Sequence, residues 1–284
     1  MTVMLFGASG QLGTSISALA NARGVPVDAV PRTVDIADDD QVAAAIADAR
    51  PDWIINAAAM TDVDGAHLNP RKAMDINGLA PGVIARAAEA IGARVIQIST
   101  EAVFDGERVE PYREDDSCDP VSVYGAAKLA GESLVRIYSP DSYVLRTSWL
   151  YSGVTGMNFP TRILAQLADP ARPIAVVTDV IGNPTPTTVL AEAILAVMQD
   201  PPEPGTYHVC CREPASKHEW AVQIAESAGF DSDRIRRVTS ADYPTVARRP
   251  THVDLDCGKF LATGRYALPT WREAWLAVAR TDPS

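Results

Sequence analysis

Positive charge is the first thing this chain is short of. Across 284 residues, 25 lysines and arginines face 36 aspartates and glutamates, for a formal net charge of -11 at pH 7. Nucleic acids and anionic membrane surfaces carry the same sign, so neither is expected as the main partner. A local basic pocket for a phosphate stays open. Long apolar runs are missing as well: none is long enough to span a bilayer, and residues 1–13 lack the basic start of a signal peptide. Cysteine is sparse. Cys118, Cys210, Cys211 and Cys257 have no metal-ligand spacing, and on a strand the adjacent Cys210 and Cys211 would point to opposite faces. His67, His208, His218 and His252 are too dispersed in sequence to suggest a metal site. The expectation is a reduced, cytoplasmic chain with buried thiols.

What is present is a composition 47% hydrophobic, enough for one large α/β domain or a large and a small one. The organising stretch is Val3–Gly13, an apolar run that ends in Gly7-Ala8-Ser9-Gly10-Gln11-Leu12-Gly13 and continues as a helix-compatible segment. Strand, Gly-x-x-Gly-x-x-Gly, then helix is an order that suits a dinucleotide pyrophosphate. Gly7 permits the tight turn, Gly10 lets backbone approach the phosphates, and Gly13 lets the helix pack on the strand. Ser9, Gln11 and Leu12 complete the loop and join the candidate cofactor contacts.

Pro26–Val30 can form a second strand. The first charged side chain beyond it is Arg32, where many NAD-binding chains place an acidic residue for the ribose hydroxyls; arginine would suit the 2′-phosphate of NADP. Asp35 and Ile36 follow as further candidates on the adenosine side, before an acidic helix over Asp38–Ala49. Trp53–Ala59 reads as a third strand, whose closing Ala57, Ala58 and Ala59 are small enough for a cofactor to lie against. Pro70–Ile91 predicts a long helix with Asn77 as a buried hydrogen-bonding residue. Arg94–Ile98 is a fourth strand, with Ser99 and Thr100 at its carboxyl end, where open α/β sheets bind ligands. With Ser142–Leu150 as another strand, the alternation predicts a Rossmann-type, doubly wound parallel sheet over residues 1–150. Residues 151–284 read as a smaller mixed lobe over the carboxyl edge, with some segments returning to the first domain. Its elements are short helices and strands, including a strand at Gly205–Cys210, a helix over Ser216–Ala228 capped by Ser216, and a closing helix over Leu268–Arg280.

Tyr124 and Lys128 stand four apart and share a face if helical. A phenol titrates near ~10, so it needs help to move protons at neutral pH. An ammonium one turn away would lower that value. Thr100 or Ser99 can donate to the same substrate oxygen. The group suits carbonyl reduction, with hydride from a nicotinamide and a proton from Tyr124.

From these motifs the chain resembles the extended short-chain dehydrogenase/reductases, and within them the dTDP-4-dehydrorhamnose reductase family. The likeness runs nearly end to end: Gly7–Gly13, Asn56–Asp64, Ser99–Gly106, Tyr124–Glu132, Arg146–Trp149, Gly205–His208 and Arg249-Pro250. The resemblance implies Tyr124 as acid, Lys128 on the nicotinamide ribose, Thr100 orienting the carbonyl and Trp149 lining a sugar pocket. It further implies Thr61, Glu101, Val103, Asn158 and Arg249 as substrate contacts. Three departures stand out. Glu101-Ala102 replaces the family's Asp-Tyr, Met60 replaces a histidine, and Ser15 and Thr188 stand where some members carry glutamates at a metal-linked dimer contact. No metal is therefore expected. The activity implied is reduction of a nucleotide-linked 4-keto-6-deoxyhexose by NADPH, with NADH as the alternative cofactor and a homodimer compatible with it. A second reading is a non-catalytic NADP-binding regulatory subunit resembling the methionine adenosyltransferase β subunit, which the intact Thr100, Tyr124 and Lys128 disfavour. A sugar 4,6-dehydratase is discounted because Ala102 stands where its glutamate would be.

Overall fold

The computed structural model describes residues 1–153 and 156–281. Its centre is a six-stranded sheet of β1 (Val3–Phe6), β2 (Val27–Ala29), β3 (Trp53–Asn56), β4 (Arg94–Thr100), β5 (Tyr143–Thr147) and β6 (Gly205–His208). The spatial order is β6-β5-β4-β3-β1-β2, and every pairing is parallel. Side chains alternate across it with period two. Val3 and Leu5 enter one apolar cluster, while Met4 and Phe6 enter the other, so β1 is buried along its whole length.

Helices cover both faces. On one lies α1 (Gln11–Ala22), packed against a helix that arrives much later, Thr187–Gln199. On the other lie α2 (Asp39–Ala49), α3 (Ala80–Ile91) and α4 (Val123–Tyr138), which bury Val42, Ile46, Ile84, Ala88 and Val135. The doubly wound parallel sheet expected from the alternation is present. Local chemistry explains the helix starts. Asp38 caps α2 by accepting from the N–H groups of Asp40 and Gln41, and Ser122 caps α4 by accepting from Gly125 at 3.1 Å. The helical stretch from Pro70 is continuous in direction but widens to a π-turn at Met74–Leu79. There the buried Asn77 grips the backbone of Met60 on both sides, accepting from its N–H at 2.8 Å and donating to its carbonyl at 2.9 Å.

After β5 the chain makes three two-stranded ribbons: Leu150–Tyr151 with Thr185–Pro186, Ile174–Val177 with Ile235–Val238, and Ile181–Gly182 with Ala215–Ser216. Between them come α5 (Phe159–Leu167), α6 (Thr187–Gln199) and α7 (Lys217–Ser227), with α8 (Trp271–Thr281) closing the chain. Two of these later pieces belong to the central body. β6 pairs with β5 in the register Tyr207↔Leu145, and α6 covers α1. Among the described residues no helix is long and apolar enough to cross a membrane.

Candidate active site

The chain leaves β1 for β2 on one side and returns to β3 on the other, so the sheet's crevice opens at the carboxyl ends of β1 and β3. The glycine loop lies there. Gly7 has φ +80°, and a Cβ on it would fall 2.6 Å from the Ala58 nitrogen. One on Gly13 would fall 2.1 Å from the Gly7 carbonyl oxygen. These two glycines let the loop close on itself and on Ala57-Ala58. Gly10 differs: its Cβ would meet nothing nearer than the Gly7 oxygen at 3.3 Å, so the space beside it faces the crevice. Gly10 also caps α1 without a side chain, leaving the first-turn N–H groups to an incoming anion. Arg32 leans over this loop, its Nε donating to Ser9 Oγ at 2.8 Å. A cradle of bare backbone with an exposed guanidinium at its rim fits the phosphates of a dinucleotide. Nearby, the Asp35 carboxylate accepts from the Ala37 N–H, and Ile36 packs on the apolar cluster beneath.

At the end of β4 the chain turns through Glu101–Val103, and the start of α4 presses on that turn. A Cβ on Gly125 would fall 2.0 Å from the Ala102 carbonyl oxygen, so only glycine permits the approach. It puts Tyr124 beside Thr100. Enclosure pushes the Tyr124 phenol above its ordinary range, the Glu101 charge pushes it further, and the Thr100 hydroxyl partly offsets both. Lys128, one turn on, is buried and donates to the Ile98 carbonyl at 2.6 Å. Its pKa is lowered to about 8 by burial, against the opposing pull of Glu132. In this structure burial outweighs any lowering of the phenol by an ammonium one turn away. Glu101 accepts from Thr100 Oγ1 at 2.8 Å, and burial raises its carboxyl despite the Thr100 hydroxyl and the Lys217 charge.

Beneath these groups runs a buried ion pair. Arg146 donates from Nε and Nη2 to the two oxygens of Glu132, at 2.9 and 2.8 Å, and Ser99 Oγ donates to Glu132 Oε1 at 2.6 Å. Burial alone would raise the Glu132 carboxyl, yet these donors and the Arg146 charge hold it below its usual range. Trp149, at φ +42°, is the strained residue of the site. A Cβ on Gly182 would fall 2.5 Å from its indole, and Trp220 stacks on it with centroids 6.1 Å apart.

Thr100, Glu101, Tyr124 and Lys128 thus meet at one sheet edge, close to the glycine loop and Ala57–Ala59. Other candidates are engaged elsewhere. The Ser99 hydroxyl is taken by Glu132, and Val103 is wholly buried in the core. Asn158 caps α5, accepting from Thr161 at 3.0 Å, and Arg249 pairs with Asp64 at 3.0 Å. Thr61 is exposed after β3. At the two positions where some family members carry metal-linked glutamates, Ser15 Oγ lies 2.7 Å from Thr187 Oγ1, while Thr188 is exposed. Sequence reasoning missed three residues. Glu132 carried a readable signal, standing eight residues from Tyr124 on the same helix face. Arg146 carried one only as part of the Arg146–Trp149 motif, and Lys217 carried none, because it arrives from a distant element.

The family described as RmlD substrate binding domain matches residues 1–281. The dTDP-4-dehydrorhamnose reductase of Mycolicibacterium smegmatis is 37% identical over 274 residues, covering 96% of this chain and 83% of the relative. Among solved structures, the dTDP-4-dehydrorhamnose reductase of Clostridium acetobutylicum is 32% identical, with a TM-score of 0.94 and 99% of each chain covered. That of Bacillus anthracis, in complex with NADP, is 31% identical with a TM-score of 0.91, covering 99% of this chain and 98% of its own. Glycine loop, Thr-Tyr-Lys edge and overall likeness agree: the chain belongs to the dTDP-4-dehydrorhamnose reductase family, oxidoreductases of the extended short-chain dehydrogenase/reductase type.

Proposed function

We propose that this chain is an NADPH-dependent reductase of a nucleotide-linked 4-keto-6-deoxyhexose, at work in the cytoplasm. The observation that carries the reading is the meeting of Thr100, Tyr124 and Lys128 beside the glycine loop. NADPH, when bound, supplies the hydride that the carbonyl carbon accepts. The chain's own residues do the rest. Tyr124, beside Thr100, gives its proton to the carbonyl oxygen as negative charge builds there. Thr100 turns its hydroxyl from Glu101 to that same oxygen and fixes the direction of approach. Lys128, fixed on the Ile98 carbonyl, presents its ammonium to the nicotinamide ribose. The loop from Gly7 to Gly13 takes the pyrophosphate, and Arg32 takes the 2′-phosphate. The NADP complex of the Bacillus anthracis relative supports this choice of cofactor.

The test is Tyr124→Phe, assayed by NADPH oxidation against a panel of keto-sugar nucleotides. The rate should fall by roughly 10²–10⁴ while NADPH affinity stays close to wild type. Undiminished turnover in the variant would end the proton-donor role.

A further inference from the structure

Lys217 opens α7, just after its cap Ser216. A lysine in a first turn ordinarily points into water. Here its ammonium lies 3.3 Å from the centroid of the Trp149 ring, 4.9 Å from Phe159 and 5.1 Å from Trp220. The three rings form a cage: Phe159 stacks on Trp220 with centroids 4.7 Å apart, and Trp220 on Trp149. Among the described residues the ammonium makes no hydrogen bond and no ion pair of contact distance. The charges it feels are Glu101, of opposite sign, and Arg162, of like sign. Its pKa is lowered to about 7, by burial first, against the pull of Glu101.

Glu101 joins this cage to the reacting edge. One of its oxygens accepts from Thr100, and its charge reaches both Tyr124 and Lys217. An acceptor and a donor, each half-buried, thus interact through their charges, Glu101 held on Thr100 and Lys217 over the ring of Trp149. Neither is consumed by the fold: Glu101 has a second oxygen, and Lys217 has all three N–H donors.

We propose that Glu101 and Lys217 form the hydroxyl-reading pair of the substrate pocket, the carboxylate accepting from a ring hydroxyl of the keto-sugar and the ammonium donating to it. The inference rests on the reductase reading above and adds to it a recognised substrate feature, a hydroxyl near the keto group. Such a hydroxyl can satisfy both side chains at once. A sugar lacking it leaves an ammonium and a carboxylate enclosed without partners, and sites built this way reject the deoxy analogue strongly. The cation over Trp149 also sets the shape of the pocket, holding the indole between Gly182 and the sugar space.

The experiment compares wild type with Lys217→Met, Lys217→Arg, Glu101→Gln and the Lys217→Met/Glu101→Gln double variant. Kinetics are measured with dTDP-4-dehydrorhamnose and with counterparts lacking one ring hydroxyl, and binding of NADPH and of dTDP is measured separately. Each methionine or glutamine variant should raise KM for the hydroxylated sugar about 10- to 100-fold, with NADPH and dTDP affinities unchanged. Lys217→Arg should recover part of the loss. The double variant should be about as poor as the worse single one, since both side chains act on one group. It should also lose the wild type's discrimination against one deoxy counterpart. Unchanged discrimination in the double variant would overturn the proposal. So would a dTDP affinity that falls as far as sugar binding does, because Lys217 would then serve the diphosphate. A wild type that binds NADPH but reduces none of the sugars removes the reductase reading itself, a result distinct from turnover that ignores Lys217.

Discussion

At the scale of single residues, the prediction of cofactor preference belongs to Arg32. Its guanidinium is exposed, held by Ser9 at 2.8 Å, and absent from the ion pairs of the described residues, so it is available to a phosphate at the rim of the glycine loop. A charge-assisted hydrogen bond is worth about 1.5–3 kcal/mol, or roughly 10- to 150-fold in affinity. NADPH should bind more tightly than NADH by that order in a fluorescence titration, and Arg32→Ala should close most of the gap. Tighter NADH binding by the wild type would sink the assignment. Residues of this kind are legible in a sequence because their meaning is local. Arg32 follows a strand end, and Tyr124 and Lys128 share a face through simple helical spacing. Lys217 is not legible: after the cap Ser216 it reads as an ordinary solvated lysine. Only the docking of α7 beside Trp149 turns it into the cleft. The phenol is a subtler case. Spacing places an ammonium one turn away, but the ammonium spends itself on the Ile98 carbonyl, and that bond exists only once α4 lies on β4.

At the scale of elements, β6 brings His208 into the buried layer beneath the site. His208 sits edge-on to Phe104 at 5.7 Å, and neither ring nitrogen meets a partner at hydrogen-bonding geometry among the described residues. Burial first, and the Arg146 guanidinium second, lower its pKa from 6.5 to about 4. The folded chain therefore resists a proton that the unfolded chain accepts. Its contribution to stability is present above pH 6.5 and is lost as pH falls from 6.5 towards 4, by up to ~3 kcal/mol for a shift of this size. Glu132, with its folded pKa depressed, adds loss in the same direction at lower pH. Urea unfolding between pH 7 and 4 should show this decline, and His208→Phe, which keeps a ring against Phe104, should flatten its upper part. An unchanged slope in the variant would exclude His208 as the source. Element by element, the strands of the first half and their helices were readable from apolar runs and glycine punctuation. The π-turn at Met74–Leu79 was not, because it answers to the backbone of Met60, which Asn77 must reach across the fold. The neighbour of the Gly205–His208 strand was also hidden, since a short strand's pattern does not say which sheet it will join.

At the scale of the whole molecule, the question is whether the first 150 residues form a unit. Read along the chain they hold a glycine loop, five strands and their helices. The structure gives two reasons to expect otherwise. β5 is not an edge strand: it is covered by β6, whose Tyr207 stands opposite Leu145, and without β6 its backbone groups would lie open to aggregation. The face of α1 that carries Leu12, Ile16 and Ala20 shares one apolar cluster with Val189, Leu190, Ile194 and Val197 of α6. Four or more large apolar side chains would lose their cover, at about 1.5–3 kcal/mol each, against a stability of only ~5–15 kcal/mol for a whole domain. We therefore expect a fragment of residues 1–150 to show no cooperative thermal transition by circular dichroism and to be digested rapidly by protease. Co-expression with residues 151–284 should restore both the transition and resistance. A cooperative melt from residues 1–150 alone would mean that α6 and β6 are accessories to a sheet already stable without them. The same result would uncouple the glycine loop from the lobe that carries Lys217, since binding of NADPH to the fragment would then need nothing beyond residue 150.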